Sequence, residues 1–303
     1  MLEKQFIERL KQENTEVFLN EPMKNHTTFR IGGEADCLCE VRDIRSLKAV
    51  LALCREYRVP FFVLGMGSNL LVSDKGIEGL VIQLGRDFNE VIRAEDNVIR
   101  AGAGCTLAKV CLFAKNMSLS GLEFAWGIPG SVGGAVYMNA GAYNGEIRDV
   151  AVSVDYMDAE GNVRRMRQEE LDFSHRHSAF TDTDHVILSA SFQLTPASQD
   201  QISERMQELM NRRKDKQPIN HPSAGSIFKR PEGAFAAALI EQCGLKGYAV
   251  GGAEVSEKHA GFIVNDRNAT AKDVLSLIGH IKKVVKEQKN IDLTCEIRFI
   301  GRK

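Results

Sequence analysis

Residues 121–146 read GLEFAWGIPGSVGGAVYMNAGAYNGE and contain seven of the 26 glycines in the chain. The centre of this stretch, GIPGSVGGA at 127–135, is predicted to be a turn that lies outside the interior of any helix or strand. Glycine serves where φ must be positive or where a ligand approaches the backbone closely, and successive backbone N–H groups in such a turn form an anion site. The segment 135–142 can begin a helix and add its positive N-terminal end. The alternative is a tight packing loop that binds no ligand.

A second glycine-rich turn lies earlier in the chain. Residues 61–72 read FFVLGMGSNLLV, so an apolar strand runs directly into GMG at 65–67. Two such turns suit a long diphosphate ligand that is held from two sides. Neither turn matches a better-known nucleotide loop, because no Walker ending of Gly-Lys-Ser/Thr is present and Leu70 occupies the place of the third glycine in G-x-G-x-x-G. The stretch AGAG at 101–104 fails the same test at Leu107.

The residues in and around these turns resemble the UDP-N-acetylenolpyruvoylglucosamine reductase (MurB) family of flavoenzymes. The resemblance spans nearly the whole chain in the family's order, which makes it highly specific. The matching stretches are NHTTFRIGG (25–33), GMGSNLLV (65–72), GLEFAWGIPGSVGGAVYMNAGAY (121–143), AGSIFKRP (224–231), GLKGYAVGGAEVSEKHAGFIVN (244–265) and EIRFIG (296–301).

The resemblance implies an α+β protein with an FAD-binding fold of the vanillyl-alcohol-oxidase (PCMH) type. It predicts two FAD-binding subdomains at 1–75 and 76–198, followed by an α+β substrate-binding domain at 199–303. FAD is expected to bind non-covalently, with its diphosphate on the two glycine-rich turns. The residues expected to hold it are Gly65, Gly67, Ser68, Asn69, Leu70, Gly127, Pro129, Gly130, Ser131, Gly133, Gly134 and Asn139.

The resemblance also implies three catalytic residues. Arg176 is expected to meet the carboxylate of the substrate, since a guanidinium fork matches a carboxylate bidentately. Ser226 is expected to donate a proton to carbon, and Glu296 to stabilise the intermediate beside Arg176. Considered without the family, Arg176 is a solvated arginine, Ser226 a turn or cap residue, and Glu296 a solvent-facing residue of the last strand.

The expected reaction transfers reducing equivalents from NADPH to a UDP-sugar that carries an enolpyruvyl group. Lys229, Arg230 and His259 are expected to line the substrate site, with the two cations near the UDP phosphates. For His259, a surface or packing role is the alternative. The chain departs from the family at His175, where tyrosine is usual, and at Arg230, where asparagine is frequent. The fifty residues from Arg176 to Ser226 resemble the short, second subtype of the family.

Composition narrows the class of protein. A length of 303 residues predicts two or three domains, and a net charge of −1 gives no indication of a nucleic-acid or membrane partner. The N-terminus lacks the apolar region of a signal peptide, and no apolar run approaches the roughly 20 residues of a membrane helix. Seven cysteines without a C-x-x-C pair predict reduced thiols and no metal site. A cytoplasmic monomer is expected.

Hydrophobic periodicity predicts the elements that should place these residues. The N-terminal residues 2–15 are predicted to be a helix, and Asp43 is predicted to cap the helix at 44–57. Strands are predicted in 25–42, at 61–64, within 80–104, and at 149–157, 162–167, 185–194 and 294–300. Further helices are predicted at 106–117, 200–216, 234–243 and 271–288, the last with a capping box at 270–273.

Two other functions remain open from the sequence alone. One is a different flavin oxidoreductase on the same fold, such as an alcohol oxidase, which would lack the three catalytic residues and would often hold its flavin covalently. The other is a non-catalytic protein that binds nucleotide sugars. The colour of the purified protein separates this second class from both enzymes.

Overall fold

The computed structural model describes residues 2–303. The chain divides into two compact units that alternate along the sequence. The first unit consists of the chain up to Phe18, Cys37–Met66 and Gly79–Arg212, and the second of Leu19–Asp36, Gly67–Glu78 and Arg213–Lys303. The division into these two units does not test the three consecutive domains expected from the sequence, which remain a prediction.

Helices and strands both contribute to each unit, as expected for a mixed α and β protein. Within the described residues the α-helices are α1 (Lys4–Leu10), α2 (Ile44–Glu56), α3 (Leu107–Asn116), α4 (Val132–Tyr137), α5 (Gln199–Lys216), α6 (Ala236–Gln242) and α7 (Ala271–Lys289). The strands are β1 (Thr15–Pro22), β2 (Glu34–Val41), β3 (Phe61–Leu64), β4 (Leu70–Val72), β5 (Ile77–Leu84), β6 (Val91–Glu95), β7 (Val98–Gly102), β8 (Leu119–Ser120), β9 (Gly141–Ala142), β10 (Gly145–Glu146), β11 (Ala151–Met157), β12 (Val163–Arg167), β13 (Val186–Gln193), β14 (Thr195–Pro196), β15 (Ser223–Ser226), β16 (Ala249–Val250), β17 (Ala253–Val255), β18 (Phe262–Asn265) and β19 (Arg298–Ile300). No helix within residues 2–303 has the length and apolar character needed to cross a membrane.

The largest sheet of the first unit has the order β12-β11-β13-β7-β6, and its strand pairs are antiparallel. Side chains alternate between the two faces of a strand. Val154, Ala190 and Ala101 are cross-strand neighbours and point into a core that also contains buried residues of α3 and α4. Asp155 belongs to the opposite face, where it accepts a hydrogen bond from Arg100 Nη2 at 2.7 Å. The sheet therefore buries one face against the helices and carries ion pairs on the other.

The first unit also contains a β-α-β segment that ends at the first glycine-rich turn. Helix α2 begins at a capping box in which Asp43 accepts from the Ser46 N–H at 2.8 Å and Ser46 Oγ accepts from the Asp43 N–H at 3.2 Å, so the predicted cap is confirmed. Strand β3 then pairs in parallel with β5, in a sheet of order β1-β2-β5-β3. The apolar side of α2 is buried, with Leu47, Val50, Leu51 and Cys54 in the core.

The second unit contains the sheet β15-β18-β17-β16 together with α6 and α7. The predicted capping box of α7 is confirmed, since Thr270 Oγ1 accepts from the Asp273 N–H and Asp273 Oδ2 accepts from the Thr270 N–H. Asp74 accepts hydrogen bonds from the first two amides of α7, at 2.7 and 3.0 Å. A carboxylate at this end of a helix also complements the helix dipole. The apolar side of α7 is buried, with Val274, Ile278, Ile281 and Val285 in one core.

Three predicted elements differ from the structure. Helix α1 ends at Leu10 and a strand begins at Thr15, so the helix predicted at 2–15 is too long. Within the predicted strands of 25–42, regular structure is confined to β2 and the end of a short 3-10 helix. The final strand is shorter than predicted and begins at Arg298, because residues 294–296 pair with the 227–229 segment before the chain moves to β4. Glu296 therefore precedes the last strand.

Candidate active site

The second glycine-rich turn folds differently from the prediction. Ser131 caps α4, and its Oγ accepts from the Gly134 N–H at 3.2 Å. The helix spans Val132–Tyr137, so the prediction that the run 127–135 lies outside any helix is wrong for residues 132–135. The helix also begins three residues before the start proposed at 135. The N–H groups of Val132 and Gly133 donate to carbonyl oxygens in the segment after β7, at 2.8 Å each. The first amides of α4 are thus already bound within the chain, and the anion site expected from the end of this helix is not supported.

Two glycines of this turn lie at positions where the fold has room for a larger residue. A Cβ built on Gly130 would lie 3.5 Å from its nearest neighbour, Leu107 Cδ1, and one on Gly134 would lie 3.4 Å from Ser131 Oγ. Both are ordinary contacts, and neither glycine has the positive φ that would exclude other residues. A side chain at either position would fill space beside the turn. These two open positions therefore fit a cofactor such as FAD that approaches the backbone closely.

The first glycine-rich turn is divided between the two units at residue 66. A Cβ on Gly65 would lie 2.5 Å from Ser131 Oγ, so the end of β3 lies directly against the cap of α4. Gly67 has φ 61°, and a Cβ there would overlap the carbonyl oxygen of His26. The chain therefore requires glycine at Gly67 for its own packing, whereas Gly65 and Ser131 bring the two glycine-rich turns together in the first unit.

The remaining residues predicted to hold the cofactor occupy several environments. In the second unit, Asn69 Nδ2 donates to the Glu296 carbonyl at 3.3 Å, and the Asn69 carbonyl accepts from the Arg298 N–H at 2.9 Å. Ser68 is half-buried and Leu70 is buried at the start of β4. In the first unit, Gly127 is half-buried in a turn and Pro129 is exposed.

Ser226 is the last residue of β15 and lies opposite Phe262 of β18. The pairing of these strands is irregular between Ser223 and Ser226, and the intervening Gly225 has φ 77°. Ser226 is half-buried. The alternative roles considered from the sequence, a turn residue or a helix cap, do not describe this position.

Glu296 lies on the backbone segment next to Ser226. Its N–H donates to the carbonyl of Ile227 at 2.8 Å, and the Lys229 N–H donates to the carbonyl of Thr294 at 2.8 Å. The structure therefore brings Ser226, Glu296 and Lys229 onto two adjacent segments of the second unit. Glu296 is half-buried.

Arg230 and His259 belong to the same unit. The Arg230 guanidinium lies 4.0 Å from the centroid of the Phe235 ring, a cation–π contact at an exposed site. His259 Nδ1 accepts from the Gly261 N–H at 3.1 Å, and its ring packs edge-on against Phe262 with centroids 5.0 Å apart. Burial lowers the pKa of His259 below its usual value. At neutral pH the ring is therefore neutral, with the hydrogen on Nε2, and can donate one hydrogen bond.

Arg176 lies in a tight turn of the first unit. Ser174 and His177 exchange backbone hydrogen bonds at 3.2 Å in both directions, with Arg176 at φ 57° inside the turn. The side chain of Arg176 is half-buried. Asn139, predicted to contact the cofactor, is fully buried, and its Nδ2 donates to the carbonyl of Ser174 at 3.0 Å and to Glu146 Oε2 at 2.9 Å. A cofactor contact through the Asn139 side chain is not supported, because its amide hydrogens are already used.

The predicted site residues thus form two groups, one in each unit. The first unit holds Gly65, Gly127, Pro129, Gly130, Ser131, Gly133, Gly134, Asn139 and Arg176, and the second holds Gly67, Ser68, Asn69, Leu70, Ser226, Lys229, Arg230, His259 and Glu296. Sequence reasoning missed the link from Asn139 to the Arg176 turn. No local pattern signals a hydrogen bond across 35 residues, although an asparagine inside a small-residue run is a polar residue that needs partners if it is buried.

A cavity of about 430 Å³ lies elsewhere on the first unit. It is lined by residues of the α2 N-terminus, the segment around Phe88 and the polar face of the large sheet, including Arg100 and Asp155. None of its lining residues comes from a glycine-rich turn, so we do not assign the cofactor to it. Within residues 2–303, no cluster of three or more His, Cys, Asp or Glu side chains has the geometry to hold a metal ion.

Comparison with known families identifies two regions of the chain. Residues 217–300 match the family model described as UDP-N-acetylenolpyruvoylglucosamine reductase, C-terminal domain. Residues 35–167 match the model described as FAD binding domain. The two matches agree with the α+β, FAD-binding fold that the sequence predicted.

Similar proteins cover the chain almost completely. UDP-N-acetylenolpyruvoylglucosamine reductase of Agathobacter rectalis is 50% identical over 293 residues, with 93% of each chain covered. The protein of the same name from Caldanaerobacter subterraneus is 46% identical over 299 residues, with 98% of each chain covered. The crystal structure of UDP-N-acetylenolpyruvylglucosamine reductase (MurB) from Thermus caldophilus has a TM-score of 0.80 and 36% identity, and covers 95% of this chain and 99% of that chain.

Proposed function

The chain belongs to the UDP-N-acetylenolpyruvoylglucosamine reductase (MurB) family of FAD-binding oxidoreductases, and from this membership we propose that it reduces the enolpyruvyl group of UDP-N-acetylenolpyruvoylglucosamine to give UDP-N-acetylmuramate, with NADPH as reductant. The observation that carries the proposal is the 50% identity to a reductase of that name across 93% of both chains. Identity at this level, without large unmatched regions, supports a shared substrate as well as a shared fold.

FAD, when bound, supplies the hydride chemistry of the reaction, and the protein supplies binding, orientation and charge. In the first unit, Gly130 and Gly134 leave the backbone open on the side where a side chain would otherwise lie. Gly65 and Ser131 lie together beside them, so both glycine-rich turns can contribute to one diphosphate site. We propose that the FAD diphosphate is held non-covalently against the open backbone at Gly130 and Gly134, and that the first amides of α4, which are bound within the chain, do not contact it.

Net reduction adds a hydride to the terminal carbon of the enolpyruvyl double bond and a proton to the adjoining carbon. Negative charge therefore develops on the adjoining carbon and its carboxylate. We assign Arg176 to the carboxylate, because a planar guanidinium can form two parallel hydrogen bonds to it. We assign Glu296 to the stabilisation of the enol-like state. Charges and dipoles fixed before the reaction lower its barrier without reorganisation.

We assign the proton transfer to Ser226. A hydroxyl is a weak acid, but a carbon with carbanion character is a strong base, so the position of the hydroxyl decides its effectiveness. The strand pairing with Phe262 and the Glu296 hydrogen bond to the neighbouring residue, Ile227, fix the backbone on both sides of Ser226. This arrangement supports a hydroxyl held in one place.

Lys229, Arg230 and His259 are proposed to bind the substrate. Lysine and arginine offer positive charge to the UDP phosphates. His259 is different, because its lowered pKa makes it neutral at pH 7 and suited to donate a single hydrogen bond from Nε2. We propose further that the enzyme acts as a monomer in the cytoplasm, where it supplies a precursor of peptidoglycan.

The proposal is tested with the purified protein. It should be yellow and should release FAD on denaturation. In the absence of oxygen it should consume more than one equivalent of NADPH per flavin only when UDP-N-acetylenolpyruvoylglucosamine is present, with UDP-N-acetylmuramate as product by mass spectrometry. A yellow protein that oxidises NADPH and ignores this sugar nucleotide would be a different flavin oxidoreductase. A colourless protein that binds the sugar nucleotide, and cannot be reconstituted with FAD, would be a binding protein.

A further inference from the structure

The side chain of Asn139, which follows a short helix, makes three hydrogen bonds. It lies two residues beyond the end of α4, at φ 41°, and is fully buried. Its Oδ1 accepts from the Arg148 N–H at 3.0 Å, and its Nδ2 donates to Glu146 Oε2 at 2.9 Å and to the Ser174 carbonyl at 3.0 Å. A buried amide with every hydrogen satisfied holds its partners in one geometry.

One of those partners, Ser174, is the first residue of the turn that carries Arg176. The Ser174 carbonyl accepts from the Asn139 side chain and from the His177 N–H, and so uses both of its lone pairs. The turn is closed by the second backbone bond between Ser174 and His177. Arg176 has a left-handed backbone conformation inside it, which a residue with a side chain adopts only when its surroundings hold it there.

A second contact anchors the chain just after the turn. Ser178 is fully buried, and its Oγ donates to the carbonyl of Tyr137, the last residue of α4, at 2.9 Å. The hydroxyl of the same tyrosine accepts from the Asp182 N–H at 3.2 Å. The Arg176 turn is therefore attached on both sides to the end of the helix that begins in the glycine-rich run.

We propose that Asn139 is the positioning residue for Arg176: its buried carboxamide fixes the turn that presents the guanidinium to the carboxylate of the substrate, and so ties the arginine to the glycine-rich segment. The inference rests on the proposed function, because it takes Arg176 as the residue that binds the carboxylate. Asn139 acts through Arg176 and does not itself touch the reacting atoms.

The first test does not depend on activity. Hydrogen exchange by mass spectrometry is measured on a peptide containing Ser174 and His177, in the FAD-loaded protein. Asn139→Ala and Asn139→Gly both remove the donor to the Ser174 carbonyl without adding a charge beside Glu146, and glycine also tolerates the positive φ of this position. Each variant should speed exchange in this peptide by about tenfold. Asn116→Ala, at an exposed position of α3 in the same unit, is the matched control and should leave the rate unchanged. If Asn139→Ala fails to fold, Asn139→Gly carries the test.

The second test asks whether the turn matters for the substrate. Asn139→Gly should keep its FAD content and its rate of flavin reduction by NADPH, while the KM for the sugar nucleotide should rise about tenfold. In a protein that already carries Arg176→Lys, the same change should add little, because residues that act through one interaction are not additive. A general loss of structure would instead lower the flavin content and slow both half-reactions together.

The outcomes test separately whether Asn139 fixes the Arg176 turn and whether that turn affects substrate binding. Unchanged exchange in the Ser174–His177 peptide overturns the positioning role, whatever the kinetics show. Faster exchange with an unchanged KM, or full additivity with Arg176→Lys, overturns the link to the substrate. If the wild-type protein does not reduce the sugar nucleotide at all, the proposed function fails on that result alone, and the link to the substrate carboxylate fails with it.

Discussion

The hydroxyl of Ser226 is proposed to act in only one of the two half-reactions. Reduction of FAD by NADPH needs no acid at this position, whereas reduction of the enolpyruvyl group needs a proton on carbon. The backbone of Ser226 is held by its pairing with β18, which does not depend on the side chain. A change confined to the hydroxyl therefore tests chemistry with the fold preserved.

Ser226→Ala should leave flavin bleaching by NADPH nearly intact and slow reoxidation by UDP-N-acetylenolpyruvoylglucosamine by a factor on the order of 10² to 10⁴, the usual contribution of a positioned general acid. Ser226→Cys, which keeps an exchangeable proton, should recover part of the rate. Anaerobic stopped-flow at the flavin absorbance measures each half-reaction separately. Ser223→Ala, the same change in the same strand, is the control and should affect neither half. Normal reoxidation in Ser226→Ala would move the proton donor elsewhere, and His259 would be the next candidate.

Arg176 differs from Ser226 because its role depends on shape as well as charge. Arg176→Lys keeps the positive charge but loses the planar fork, so kcat/KM for the sugar nucleotide should fall by about tenfold or more while FAD content stays normal. Steady-state kinetics at saturating NADPH show the effect. A fully active Arg176→Lys enzyme would return this arginine to the role of a surface residue.

At the scale of elements, helix α4 contains a glycine that its own fold does not need. Gly134 is exposed in the helix, and a Cβ there would make only an ordinary contact with Ser131 Oγ. Glycine in a helix is less favourable than alanine by roughly 0.5–1 kcal/mol. A substitution at Gly134 can therefore distinguish an effect on helix stability from an effect on FAD binding.

Gly134→Ala should raise the Tm of the apoprotein by roughly 1–3 °C, because alanine is the better helix former. The same variant should bind FAD about tenfold or more weakly if the cofactor lies against this backbone. Gly279→Ala in α7, where an added Cβ meets no other atom within 4 Å, is the control and should raise the Tm without changing FAD affinity. Differential scanning fluorimetry and flavin fluorescence titration measure the two effects. Equal FAD affinity in both variants would contradict the cofactor site assigned to this turn.

The hairpin between β11 and β12 depends on one carboxylate. Asp158 accepts from the backbone N–H of Asn162 at 2.7 Å and of Glu160 at 3.1 Å, and from Arg164 Nε at 3.1 Å. The Asn162 backbone bond, followed by Arg164, lowers the pKa of Asp158 to about 2. Because the folded-state pKa lies below the ordinary value near 4, the unfolded chain takes up the proton first as the pH falls. The stabilisation is therefore present above about pH 4 and is lost as the pH falls towards about 2.

Asp158→Asn should lower the Tm at pH 7, and the difference from wild type should shrink below about pH 4 and vanish near pH 2. Thermal melts followed by circular dichroism between these pH values measure the effect. Asp96→Asn makes the same chemical change in the exposed turn between β6 and β7 and serves as control. A difference in Tm that does not change with pH would show that the charge of Asp158 does not stabilise the hairpin.

At the scale of the whole molecule, local patterns and long-range contacts were predicted with different success. The helices α2, α3, α5 and α7 were predicted to within one or two residues, because their apolar spacing and, for α2 and α7, their caps are properties of a short sequence window. The α+β, FAD-binding class followed from the family resemblance. The end of the chain was predicted less well, because residues 294–300 change partners from the 227–229 segment to β4.

The site residues show the same limit. Sequence patterns led to the glycine-rich turns. They could not show that a side chain at Gly67 would overlap the His26 carbonyl, or that Asn139 donates a hydrogen bond to the Ser174 carbonyl. Those reasons come from residues distant in sequence that meet only in the folded chain. The roles of Arg176, Ser226 and Glu296 come from the family, and the structure adds the backbone pairing that holds Ser226 beside Glu296.

The proposed function is tested most directly by a single turnover in the absence of oxygen. The protein is first reduced with one equivalent of NADPH and then mixed with one equivalent of UDP-N-acetylenolpyruvoylglucosamine. We expect the yellow flavin absorbance to return within the time of one catalytic cycle, with about one equivalent of UDP-N-acetylmuramate formed per flavin. A flavin that stays reduced while the sugar nucleotide remains unchanged would contradict the proposed function.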